Sequence, residues 1–123
     1  MGFAFGRDKR LGSAAEFKQV FDRTDIKVSC RQLLILAKVG KQENPRLGLV
    51  VAKKNIRHAV SRNRAKRHIR ESFRLSQSRL DHLDVVVLVR RGFGELEDSE
   101  MNRLLARQWL KLSQRLEAWK ASH

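Results

Sequence analysis

Between Lys53 and Arg74 the chain carries nine lysines or arginines against a single acid, Glu71, in 22 residues. Guanidinium forks and ammonium groups at this density neutralise and hydrogen-bond phosphate oxygens. Asn63, set between Arg62 and Arg64, adds an amide that can reach base or sugar edges, a combination suited to RNA. Groups able to break a bond are not assembled in the same way. His58 and His68 lie ten positions apart, which matches no metal-binding spacing, and their cationic surroundings repel a metal ion. RNA contact or simple exposure is expected of both. Asp81, His82 and Asp84 read as a polar turn, and no cluster supplies the paired carboxylates that usually hold catalytic metals. The expected chemistry is binding, not cleavage.

A helix must present these cations. One is predicted from about Ala59 to Gln77, with Ser61 as a candidate N-cap. At about 100° per residue, Ala65, Ile69 and Phe73 share one narrow face that would bury against a sheet. Asn63, Arg64, Arg67, Arg70 and Arg74 then point over the opposite arc. Lys66 lies at the margin of the buried face, and Arg62 projects near that face from the first turn, where it can still reach solvent. Like charges at i and i+4, Lys66 with Arg70 and Arg70 with Arg74, weaken such a helix in isolation. Phosphate is the natural compensation. A charge run is usually a solvated face, but this one is nearly one-signed and sits on a chain of net charge +14.

That excess, 27 Lys and Arg against 13 Asp and Glu, makes physical sense if a polyanion normally neutralises it. RNA, DNA and an anionic membrane surface are the candidates, with nucleic acid first. The 123 residues, 41% hydrophobic, are read as one folded RNA-binding domain, with a core of about 13–119 behind a basic extended leader, 1–12. Cys30 is the one cysteine and cannot form an intrachain disulfide, which fits a reducing compartment. No stretch approaches the ~18 apolar residues of a spanning helix, and Met1 to Leu11 lacks the apolar centre of a secretory signal. A cytoplasmic location, with no membrane partner, is expected.

Ser13-Ala14-Ala15-Glu16 has capping-box spacing, and Phe17, Val20 and Phe21 then fall on one face of a helix reaching about Arg23. Leu33 to Ala37 and Leu47 to Val51 read as two strands of a hairpin separated by the turn-forming stretch Gly40 to Pro45. Their near-continuous apolarity suggests central strands covered on both faces. Val85 to Val89, four valines and a leucine, is a third strand. A last helix from about Asp98 to Ala118 carries Met101, Leu104, Leu105, Leu112 and Leu116 in one stripe, with Trp109 at its margin. Trp109 and Trp119 are read as helix-packing residues, and Cys30 as a small, partly buried one. The order α-β-β-α-β-α, with room for an additional short edge strand, makes a small two-layer α/β sandwich containing one strand–helix–strand crossover.

Arg46-Leu47-Gly48-Leu49-Val50-Val51-Ala52-Lys53-Lys54, followed by Ala59-Val60-Ser61-Arg62-Asn63-Arg64-Ala65-Lys66-Arg67 and Arg70-Glu71-Ser72-Phe73-Arg74, resembles the signature of the bacterial ribonuclease P protein subunit family. Glu16 to Phe21 is similar to that family's first helix, and Asp84 to Val89 to its last strand. The resemblance implies a fold like domain 2 of ribosomal protein S5, with a left-handed crossover. It also implies a division of labour in which a catalytic RNA subunit, using Mg²⁺ bound mainly by that RNA, hydrolyses precursor tRNA to release the 5′ leader. By position, Arg62, Asn63, Arg64, Lys66, Arg67 and Arg70 would face the RNA subunit. Phe17, Phe21, Lys53 and Lys54 would line a cleft for the single-stranded leader. Ordinary core packing is the competing expectation for the two phenylalanines. Some members of the family carry a tyrosine near Leu36, where this chain, which has no tyrosine, offers only apolar contact. The resemblance implies no catalytic residue, no metal ligand and no small-molecule substrate in the protein itself. A ribosome-associated or general RNA-binding protein is the alternative that charge alone allows.

Overall fold

Ser13 starts the first helix, α1 (Ala14–Asp22), through a complete capping box: Glu16 N donates to Ser13 Oγ at 3.2 Å, and Ser13 N donates back to Glu16 Oε1 at 3.2 Å. A computed structural model of the chain describes residues 10–123, so the expected basic leader lies outside the described residues except for Arg10, Leu11 and Gly12. The strands are β1 (Ile26–Ser29), β2 (Leu33–Val39), β3 (Arg46–Val50) and β4 (Leu83–Val89), and the long helices are α2 (Ala59–Ser76) and α3 (Asp98–Ser122). Single 3₁₀ turns at Gln77–Arg79 and Phe93–Glu95 close α2 and lead into α3.

The expected α/β sandwich is present, but the strands are not paired as expected. The sheet order is β1-β2-β4-β3. β2 and β3 are therefore not a hairpin: β4 lies between them, antiparallel to β2 and parallel to β3. The hairpin partner of β2 is β1, the extra edge strand, in antiparallel register from Ile26↔Ala37 to Ser29↔Leu34. Only β4 is buried along nearly its whole length, whereas β2 alternates and β3 is an edge strand. A bridge from Arg10 to Leu47, with Leu11 N donating to Leu47 O at 3.1 Å, runs along that edge.

One face of the sheet (Ile26, Val28, Leu33, Ile35, Leu47, Val85, Val87) packs under α2 and α3 with the buried Ala65, Ile69, Phe73, Met101, Leu105 and Leu112. Each large apolar side chain removed from water there contributes about 1.5–3 kcal/mol. α2 and α3 run side by side in the same direction, joined from Arg64–Asp98 at their starts to Ser72–Trp109 further along. Trp109 is fully buried, not marginal: it meets Phe73 edge-on at 5.7 Å and donates Nε1–H to Ser72 Oγ at 2.7 Å. α3 extends four residues beyond the expected Ala118, so Trp119 lies inside it, half-buried and stacked on His123. The opposite face of the sheet is covered only in part. There α1 lays Val20 and Phe17 against Val86, Leu36, Val50 and Leu88.

Candidate nucleic-acid interface

α2 begins without the expected Ser61 cap. His58 is the N-cap, its side chain makes no capping bond, and the first turn holds no acid, so the positive end of the helix dipole stays uncompensated. Ala65, Ile69 and Phe73 are the buried face, as the periodicity requires. The polar side chains around that face divide into three sets. The side chains of Asn63 and Arg67 are exposed and, like that of half-buried Lys66, bond to no other described residue. Arg62 turns back on the preceding connection, donating to the carbonyls of Ile56 at 3.1 Å and Arg57 at 2.8 Å. It thereby braces the stretch that carries exposed Lys53 and Lys54, which Asn55 also pins by donating to Val89 O at 2.9 Å.

The third set contradicts the simple outward arc. Arg64 leans onto the start of α3, donating Nε–H to Asp98 Oδ1 at 2.8 Å and Nη2–H to Leu96 O at 2.8 Å. The Arg64 hydrogen bond and then its charge, aided by His68, hold the Asp98 carboxyl below its ordinary range. His68 is not exposed as expected but sits in the same seam, 2.9 Å from Asn102 Oδ1 and 3.1 Å from Asp98 Oδ1. Arg74 pairs with Glu71. Arg70 is half-buried, and burial first, then the nearby charge of Arg10, push its guanidinium below the ordinary value. It remains charged at neutral pH, so an anion placed there would offset the repulsion between the two arginines.

Arg70, Lys66 and Arg10 surround a recess of about 180 Å³ whose apolar wall includes Phe17 and Gly48. The recess links the cationic helix to α1. Phe17 is half-buried against β3, whereas Phe21, one turn on, is 43% exposed and forms no part of the core. Beside them the sheet leaves Leu34, Leu36, Val50 and Leu88 half-covered. The outcome is an apolar strip with aromatic edges, flanked by cations and free of a packed helix over part of its length. Such surfaces stack bases with little demand for sequence.

Polar residues that the sequence reading passed over hold this arrangement together. Arg46 forks onto Asp84, Nε to Oδ1 and Nη2 to Oδ2 at 2.9 Å each, and its Nη1 pairs with Glu16 of α1. Asp84 is thus a buried member of β4, not part of a turn, with Gln42 as a further donor. Asp81, at φ 49°, and His82 make the turn before β4, and Asp81 pairs with Lys120. Arg31, Arg90 and Arg91 were also missed. They stand at the end of the sheet where β3 and β4 finish and β2 begins, the same end as Lys53 and Lys54, around a recess of about 660 Å³. The signal was present as basic residues directly flanking apolar strands.

Among the described residues no group of three or more His, Cys, Asp and Glu side chains is placed to share a metal ion. Glu71 within α2, and Glu16, Asp84 and Asp98 beside the basic surface, are each bound to arginine. These residues do not fit a protein-held magnesium site. No described helix is long and apolar enough to cross a membrane.

Fold and surface together define a basic α/β protein built to hold a polyanion. Residues 5–113 match the family model Ribonuclease P. The chain is 47% identical over 109 residues to the ribonuclease P protein component of Azotobacter vinelandii, covering 89% of this chain and 84% of that protein. It is 48% identical over 108 residues to the component of Pseudomonas aeruginosa, covering 88% and 80%. Among solved structures it resembles the RNase P protein of Staphylococcus aureus (TM-score 0.77, 28% identity, 85% of this chain and 94% of that one). The RNase P protein of Thermotoga maritima is also similar (TM-score 0.67, 26% identity, 80% and 96%). The chain belongs to the ribonuclease P protein family and is a subunit of that endoribonuclease.

Proposed function

We propose that the protein is the non-catalytic RNA-binding subunit of a cytoplasmic ribonuclease P particle, and that it grips two RNAs at once. α2, through Arg62, Asn63, Arg64, Lys66, Arg67 and Arg70, docks on the catalytic ribonuclease P RNA. The strip between α1 and the sheet, with Phe17, Phe21, Lys53 and Lys54, holds the 5′ leader of precursor tRNA. The observation that carries this reading is the continuity of the two surfaces: Arg70 and Lys66 of α2 and Phe17 of α1 line one recess. Phosphate contacts there position the particle, and ring stacking holds an unpaired strand of any sequence. Mg²⁺ is assigned mainly to the RNA subunit, and bond cleavage to that RNA.

Reconstitution tests this assignment. Purified protein is expected to leave precursor tRNA intact, whereas adding it to ribonuclease P RNA at low Mg²⁺ restores release of the 5′ leader. Cleavage by the protein alone would overturn the division of labour, and equal affinity for any structured RNA would leave a general RNA-binding protein.

Phe21→Ala probes the leader strip. Because the ring is exposed, melting should change by less than about 1 kcal/mol. Binding of leader-bearing precursor tRNA should weaken about fivefold to 100-fold, the loss of one stacked base, with mature tRNA unaffected. Titration of both RNAs against the reconstituted particle measures the difference. Equal losses for the two would remove Phe21 from the leader site.

A further inference from the structure

We propose that Gly48 is a positioning residue for the leader strip: its missing side chain lets the Phe17 ring lie down on the sheet, and that seat sets the plane in which Phe17 meets an unpaired base. The inference rests on the assignment of Phe17 to the leader.

Gly48 lies in the middle of β3, in register with Val86 of β4, where a glycine weakens the strand and needs a reason. Backbone conformation is not the reason, since Gly92 is the one glycine with positive φ among the described residues. Close approach is. A β-carbon at position 48 would come 2.5 Å from Phe17 Cζ, 2.8 Å from Cε1 and 3.2 Å from Leu11 Cδ1, against about 3.5–4.0 Å for carbon atoms in contact. The ring occupies the space a side chain would fill.

The same position explains how α1 is seated. Its polar side is tied down through Glu16 and Arg46, and its apolar side drops Phe17 into the gap in β3. Phe21, 40° further round the helix by its spacing of four, is left in the open. A methyl group at position 48 would displace the ring by about 1 Å. The ring tip moves more readily than the β3 backbone, so the fold should adapt while the stacking plane is lost. Ring stacking depends on offset and tilt, so the effect should fall on the leader and not on the α2 contacts.

The test uses particles reconstituted with ribonuclease P RNA, comparing affinities for precursor and mature tRNA in wild type, Gly48→Ala, Phe17→Ala and the double variant. Gly48→Ala is expected to lower the preference for leader-bearing tRNA by about fivefold or more, with affinity for mature tRNA and for the RNA subunit unchanged. In the Phe17→Ala background, Gly48→Ala should cause no further loss. An unchanged leader preference in Gly48→Ala, or an equal loss with the ring already removed, overturns the inference. Should Gly48→Ala alone fail to fold, the double variant must fold. If it does not although Phe17→Ala does, the methyl meets something other than the ring and the inference is wrong. A wild-type particle with no leader preference instead overturns the leader assignment, and this inference with it.

Discussion

Replacing Arg62, Arg64 and Arg67 together by alanine should weaken binding to ribonuclease P RNA about 100-fold, taking each solvent-accessible contact as worth about 1 kcal/mol, the typical net value of a hydrogen bond. The slope of log K against log salt should flatten by about 2–3, because three fewer phosphates are neutralised. The three arginines are not equivalent, which sharpens the test. The Arg67 side chain is exposed and bonds to no other described residue, so Arg67→Ala should lose affinity and salt dependence at constant melting temperature. Arg64 satisfies the Leu96 carbonyl at 2.8 Å and pairs with Asp98. Its removal should lower the melting temperature as well as affinity. Arg62 braces the Lys53–Lys54 connection, so its loss should also reach the leader side. Titrations at four or more salt concentrations, beside thermal melts, separate these effects. A salt slope that survives Arg67→Ala and the triple change unaltered would mean that α2 is not the docking face.

Those differences mark the boundary of what was legible in the sequence. Local periodicity identified all three helices. The Ser13–Glu16 capping box, the Ala65-Ile69-Phe73 face and the Met101-to-Leu116 stripe each depend on residues within a few turns of one another. Strand pairing depends on topology, and there the reading failed. Gly40 to Pro45 has turn chemistry, yet Gly40 N donates to His82 O at 2.9 Å, so this stretch passes the start of β4 and does not close a hairpin. β1 is the short edge strand that the order left room for, but its place was not legible, because it is four residues long with only Ile26 and Val28 buried. At the site, the sequence showed the number of cations but not their allegiance. Arg64 and His68 turn toward α3 because Asp98 and Asn102 wait there, 34 residues along the chain in each nearest pairing. Gly48 was readable in principle as an isolated glycine within an apolar strand. What it accommodates, Phe17, lies 31 positions earlier, and no local rule connects the two.

Arg46→Ala carries the largest expected cost in stability. Asp84 is only 7% exposed, and Arg46 supplies two of its hydrogen bonds. Without the guanidinium a buried carboxylate keeps Gln42 as its remaining side-chain donor, and Glu16 loses its cross-link to the sheet. Stranding one partner of a largely buried pair costs about 3 kcal/mol, a fall of roughly 10 °C in melting temperature for a domain of this size. Replacing both partners by apolar residues, Arg46→Met with Asp84→Leu, should recover much of that loss, since the buried carboxylate goes with its partner and only the part-exposed Glu16 loses its ion pair. The pair also has a pH signature. The Gly12 N–H, then against burial the charge and hydrogen bond of Arg46, hold the Glu16 carboxyl below its ordinary range. A lowered folded value means that this contribution is complete above the ordinary carboxylate range and is lost as pH falls through the folded value. Melts between pH 7 and pH 3 should therefore show a shallower acid decline in Arg46→Ala than in wild type, although the Gly12 contribution persists. A variant that loses under about 1 kcal/mol and keeps the wild-type acid decline would show that α1 is held by its apolar side alone, through Val20 and the seat of Phe17 on β3.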